Sequence, residues 1–268
     1  MLKEIFQDEG IEFFSAVDYS ECKSVNARLE KRLPFEPKSV LIFLLPYYAG
    51  ECENLSLYAA SLDYHIIIRD ITDRIIKKLK EIYPVSNFAG FGDHSPIDER
   101  DCALKAGLGF IGDNGLIINE KYGSYMFLGD IITDVPVYEL QSEAPPRESK
   151  SECHHCGACK RACPTGILRG EGFDCLSAIT QRKGELTKEE KNLMIACNTA
   201  WGCDICQNVC PYNAAPRISP IELFHRDRIS KLDSELLSSL SDEKFKDRAF
   251  SWRGRAVVER NVKLLENK

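Results

Sequence analysis

Runs of apolar residues with two different periods alternate along the first half of the chain. Ser39 to Leu45 reads SVLIFLL without a polar interruption and stops at Pro46. An unbroken run of that length predicts a strand buried on both faces. Leu57, Tyr64, Ile67, Ile68, Ile71, Ile75, Leu79 and Ile82 recur every three to four residues, a helix with one apolar stripe that ends near Pro84. Val85 to Phe91 is a second strand candidate. Ser95, Pro96, Asp98 and Glu99 suit a cap, a first helical position and an acidic first turn, so a short helix is expected from there to Gly107. Leu116 to Asn119 and Ser124 to Ile132 flank Lys121-Tyr122-Gly123 and suggest a hairpin.

Beyond residue 138 the periodicity lapses. Residues 139–152, ELQSEAPPRESKSE, are polar with a Pro-Pro pair and are expected to be a linker. The expected fold class is α+β. An N-terminal α/β sheet domain spans 1–138, a ferredoxin-like cysteine-rich domain 153–216, and a helical segment 217–268.

Hydrophobic residues make up 44% of the 268, which excludes wholesale disorder. No apolar stretch approaches the roughly 18 residues of a membrane span, and the start of the chain does not resemble a signal peptide. A cytoplasmic location is expected. The formal charge of −6 excludes a blanket nucleic-acid coat, but residues 242–268 carry eight basic and five acidic groups, a local +3.

Twelve cysteines change the picture, because nine of them lie between Cys153 and Cys210. The run Cys153-x2-Cys156-x2-Cys159-x3-Cys163-Pro164 is the spacing that wraps one 4Fe–4S cluster with three thiolates and sends the fourth cysteine to a second. The run Cys203-x2-Cys206-x3-Cys210-Pro211 repeats it without its first cysteine, a position held by Ala200. By the crossing rule Cys210 joins Cys153, Cys156 and Cys159, while Cys163 joins Cys203 and Cys206. The second cluster then needs one more thiolate, and spacing leaves both Cys175 and Cys197 open. Tetrahedral zinc is the competing reading, but it requires neither the x2-x2-x3 run nor a proline after both runs. His154 and His155 are read as solvent-facing loop residues.

Asp93-His94-Ser95-Pro96-Ile97-Asp98-Glu99-Arg100 followed by Ala106-Gly107-Leu108-Gly109-Phe110-Ile111-Gly112 resembles the N-terminal domain of epoxyqueuosine reductases. So do Asp63-Tyr64-His65, Gly123 to Gly129, both Cys-Pro runs and Glu259-Arg260-Asn261-Val262. The resemblance implies an oxidoreductase that binds cobalamin between the two domains and reduces epoxyqueuosine in a tRNA anticodon loop to queuosine, with electrons from a reductant protein. It implies Cys175, within Cys175-Leu176-Ser177, as the missing ligand, with Cys197 a spare. It also implies Asp93 as proton donor, with a carboxyl pKa raised by burial against the corrin. Backbone groups of Ile117 and Leu128 are expected at cobalamin with Ser177 beside it, and Lys183 near the tRNA. The basic tail adds Arg253 and Arg255 as phosphate contacts, with Trp252 for stacking. A monomer is expected. The resemblance is weakened where Ala60, Leu62, Gln181 and Arg182 replace family residues, which keeps two rivals open: a reductase of a small molecule, and a plain electron carrier.

Overall fold

The structure, a computed structural model, describes residues 1–145, 151–172 and 174–267. Its centre is an antiparallel four-stranded sheet in the order β1 (Phe14–Asp18), β2 (Ser39–Pro46), β6 (Met126–Thr133), β3 (Phe88–Phe91). All eight residues of β2 are buried, as an uninterrupted apolar run requires. Leu41, Phe43 and Leu45 pack toward Ile67, Ile71, Ile75 and Leu79 of the helix Tyr64–Ile82. Val40, Ile42 and Leu44 meet Ile97, Cys102, Ala103 and Ala106 on the opposite face. Gly129 pairs with Phe43 across the ladder, and a Cβ there would lie 2.4 Å from the Phe43 ring, so only glycine fits.

Several elements differ from expectation. The long helix starts at Tyr64, capped by the Asp63 carboxylate on the His65 N–H, and Leu57 belongs to a separate 3-10 turn. The short helix is Glu99–Lys105, and its cap is Asp98, which accepts the Asp101 N–H. Ser95 instead bonds Asp130. The tight turn at Asn119–Gly123 exists, but the strands beside it do not pair with each other. β5 (Ile117–Ile118) pairs with β4 (Phe110–Ile111), and β6 lies between β2 and β3. Alternation marks a strand without naming its partner.

The expected linker begins inside the sheet domain. Residues Val137–Gln141 are helical, and the Ala144 carbonyl accepts the Ala16 N–H. Residues 146–150 lie outside the described residues. The cysteine region consists of loops joined by helices such as Ala158–Ala162, Leu176–Thr180, Lys188–Ala196 and Ile205–Asn208. The C-terminal helix Arg255–Glu266 packs Val257, Val258, Val262 and Leu265 into one core with fully buried Trp201 and with Leu55, Ala59 and Ala60. That core joins the beginning, middle and end of the chain. Among the described residues no helix is long and apolar enough to cross a membrane.

Candidate active site

Asp93 stands just past β3 with φ of 65°, in the left-handed region that a non-glycine residue seldom adopts. Its N–H donates to Glu99 Oε1 at 3.1 Å. Its carboxylate accepts the Tyr64 hydroxyl at 2.6 Å, and His65 Nε2 lies 3.3 Å from the same oxygen. The other His65 nitrogen is 2.8 Å from Asp63 Oδ1. Asp63 first and Asp93 second raise the His65 pKa to about 9, so the ring is an imidazolium at neutral pH. That imidazolium, ahead of the Tyr64 hydrogen bond, holds the Asp93 carboxyl below its ordinary value against the opposing effect of burial. The raised value expected from burial is thus reversed in the protein alone, because His65, on another element, brings a cation to Asp93.

Aromatic packing sets the position of Tyr64. Its ring stacks on Phe127 at 4.3 Å and 14°, and Tyr58 meets it edge-on at 6.0 Å. Tyr58 in turn accepts the Trp201 indole N–H at 3.0 Å. A rigid series of rings therefore runs from the shared core to the carboxylate.

Two adjoining cavities share Tyr64, Asp93 and Phe127. One, of about 590 Å³, is also bounded by His65, Ser177, Gln181 and Trp252. The other, of about 440 Å³, is bounded by Ile117, Leu128, Met126, Ser95 and Glu99. Four residues singled out from the sequence, Asp93, Ile117, Leu128 and Ser177, thus line two cavities that meet at Asp93. Their mixture of apolar walls and a few polar groups is the character of a cofactor site. Tyr64, His65, Phe127, Gln181 and Glu99 were not assigned to the site, although all but Gln181 fall within the segments that carry the family resemblance.

The basic residues divide. Lys183 is exposed and lines neither cavity. Arg253 places its guanidinium 3.7 Å from the centre of the Trp252 ring, at the cavity rim, and Trp252 is 58% exposed. Arg255 departs from expectation: it donates to the Leu237 and Leu240 carbonyls at 2.8 and 2.9 Å and covers the Phe245 ring. Arg248 and Arg260 likewise bind backbone carbonyls. These three hold the tail together, leaving Arg253 to face the rim.

The cysteines fall into groups. Burial, followed among the thiols by the charges of Cys153 and Cys156, pushes Cys210 up. Cys159 is raised by burial and also feels Cys153. Burial pushes both Cys203 and Cys206 up to about 12, and Cys175 acts on each of them. Cys197 acts on Cys203 alone of these two. At Cys163 burial is outweighed by N–H groups of Leu168, Thr165 and Gly166, with the Thr165 hydroxyl, which bind sulfur and lower its pKa. Thiols gathered in this way are a donor set for a cationic metal centre, and soft sulfur suits iron. His155 is exposed and bonded to Asp113, and His154 to the Tyr212 hydroxyl, so both rings have partners apart from any cluster.

A family described as a 4Fe-4S double cluster binding domain matches residues 152–213. The chain is 31% identical over 267 residues to the epoxyqueuosine reductase of Lactococcus garvieae, covering 90% of this chain and 72% of that one. It superposes with a TM-score of 0.77 on a crystal structure of epoxyqueuosine reductase with an epoxyqueuosine-modified tRNA-Tyr stem loop, at 25% identity over 98% of this chain and 79% of that one. The fold extends to a B12-dependent reductive dehalogenase, with a TM-score of 0.53 and 14% identity over 97% of this chain and 37% of the other.

Proposed function

Because the chain belongs to the epoxyqueuosine reductase family, we propose that it reduces epoxyqueuosine in a tRNA anticodon loop to queuosine, with cobalamin in the joined cavities and two 4Fe–4S clusters as the electron supply. The observation that carries this reading is a juxtaposition. Asp93, with its Tyr64 and His65 partners, faces a space whose far wall is Ser177, two residues from Cys175. An acid and a cluster ligand thus address one cavity from two parts of the chain.

Cys153, Cys156, Cys159 and Cys210 would hold the first cluster, and Cys163, Cys175, Cys203 and Cys206 the second. The second would adjoin the cavity through Ser177, two residues beyond Cys175, and would supply electrons there. Cys156 of the first is exposed, with Arg161 bonded to its carbonyl. A reductant protein with an acidic face would dock there. Ile117 and Leu128 line the cofactor's side of the space, with Asp93 facing it. Bound cobalamin supplies a strongly reducing metal centre beside the epoxide.

The protein's own residues manage protons and orientation. Conversion of the epoxide to the alkene takes up two electrons and two protons, and the oxygen leaves as water. Asp93, ionised at rest, takes a proton from the His65 imidazolium in contact with its carboxylate and passes it to that oxygen, and Tyr64 keeps the reacting oxygen atom of Asp93 in place. Trp252 and Arg253 at the rim offer a stacking face and a cation to a nucleotide flanking the modified base. Such a substrate and so many reduced thiols suit a cytoplasmic enzyme.

An absorption spectrum of anaerobically purified protein, with and without added cobalamin, tests the cofactors. Incubation with epoxyqueuosine-containing stem loop and a chemical reductant tests the reaction. Cluster absorption, a cobalamin spectrum altered by the protein, and queuosine as product are expected. A cobalamin spectrum unaffected by the protein would leave an electron carrier. Altered cobalamin with no turnover and no stem-loop binding would leave a reductase of a small molecule.

A further inference from the structure

Glu99 has a part in the site that neither the cluster region nor the cofactor explains. Its carboxyl accepts the N–H of Asp93 and lines the same cavity. Asp93 holds an unfavourable left-handed backbone, and the Glu99 contact is the one hydrogen bond made by its N–H among the described residues. We propose that Glu99 is the positioning residue of the Asp93 loop, a latch whose carboxyl oxygen holds the Asp93 N–H. This inference rests on Asp93 being the acid of the proposed reaction.

The surroundings explain why charge matters here. Asp93 faces Glu99 from the loop, Asp98 from the preceding turn and Asp130 from β6. Asp130 is fully buried; one oxygen accepts from Ser95, and Oδ2 has no partner among the described residues. The two nearby cations, Lys23 and Arg100, pair with Asp98 rather than with Glu99. His65 and Tyr64 reach only the far side, through the Asp93 carboxylate. His94 lies next to Asp93 and acts on that carboxyl. Behind Glu99 the thiols of Cys22 and Cys102, 3.4 Å apart, add no positive charge. Among the described residues, no cation pairs with Glu99 or Asp130.

Burial first and Asp130 second push the Glu99 carboxyl well above the carboxylate range, and burial does the same for Asp130. At neutral pH Glu99 therefore keeps its proton, and its carbonyl oxygen accepts the Asp93 N–H. That N–H favours the ionised carboxyl, so the bond survives ionisation and the latch depends on the acceptor being there.

Hydrogen exchange of the peptide containing Asp93, expressed as protection against its intrinsic rate, tests the latch without relying on turnover. The iron-loaded full chain is measured at about pH 6.5, below the elevated carboxyl. Wild type should be protected. Glu99→Gln keeps the acceptor and should be protected to the same degree. Glu99→Ala should lose about tenfold in protection, the worth of one hydrogen bond. Unchanged cluster absorption certifies each fold. Turnover should follow the same pattern. Protection in Glu99→Gln as low as in Glu99→Ala overturns the latch, as does unchanged protection in Glu99→Ala. Absent turnover in wild type, with the exchange pattern intact, would instead reject the proposed reaction and leave the latch standing.

Discussion

The choice between Cys175 and Cys197 decides how electrons enter the cavity, and serine substitution separates them. Cys175 is the N-cap of the helix Leu176–Thr180, and Cys197 the C-cap of Lys188–Ala196. Cys175 acts on both Cys203 and Cys206, whereas Cys197 acts only on Cys203 of that pair. Cys197 also lines a small space of about 110 Å³ together with Cys203, Cys52 and Asp204. Serine is a preferred helix N-cap, so Cys175→Ser leaves the helix that carries Ser177 intact. A loss of iron in that variant therefore reports a lost ligand and not a lost helix. Two complete clusters hold about eight irons, and loss of one leaves about four. Anaerobic iron and sulfide analysis, with electron paramagnetic resonance after reduction, should show about eight irons in wild type and Cys197→Ser and about four in Cys175→Ser. Because serine oxygen can bind iron, Cys175→Ala is measured beside it, at a capping cost of about 1 kcal/mol. Four irons in Cys197→Ser and eight in both Cys175 variants would refute the assignment. Eight in all three would show that neither thiol is needed.

Two further substitutions address the cavity. Asp93→Asn keeps the side chain's size and its contact with Tyr64 but cannot deliver a proton; product formation from the modified stem loop should fall by about 100-fold or more, while iron content and the bound cobalamin spectrum stay unchanged, and normal turnover would dismiss the acid. Trp252→Ala with Arg253→Ala should weaken stem-loop affinity by about tenfold and reduce its salt dependence; Arg255→Ala should instead lower thermal stability by about 1–3 kcal/mol, since it strips donors from two carbonyls, and equal affinity losses from both changes would argue against this division of labour.

What the sequence revealed follows the reach of each physical constraint. Iron chemistry demands short fixed spacings, so the cysteine runs declare themselves without any knowledge of folding. β2 was legible because a strand covered on both faces admits no polar residue from Val40 to Pro46. Pairing was less legible: β5 and β6 sit on either side of one turn yet take other partners. Asp98 and Ser95 are both good caps, and only the tertiary bond from Ser95 to Asp130 decides between them. The state of Asp93 depends on His65, which belongs to another element. Counting charges in the tail likewise overlooked the arginines that cap backbone carbonyls. Charge is additive along a chain, but availability to a ligand is not.

A single buried side chain holds the two halves of the cavity together. Asn261 is fully buried in the C-terminal helix, yet its amide donates to the Thr180 carbonyl at 2.6 Å and the Ala200 carbonyl at 2.8 Å. Thr180 ends the helix that begins after Cys175 and bears Ser177. Ala200 precedes Trp201, whose indole supports Tyr58 and through it Tyr64. One side chain thus ties the cluster side of the site to the acid side. Asn261→Ala would strand two buried carbonyls at about 1–3 kcal/mol each. Asn261→Asp keeps the shape but presents lone pairs to both carbonyls, and should be at least as harmful. On heating under anaerobic conditions, both variants should lose cluster absorption at lower temperature than wild type. Iron analysis part-way through the loss should give about four irons, because the cluster held by Cys175 fails first. Simultaneous loss of both clusters at the wild-type temperature would show that Asn261 does not carry this connection.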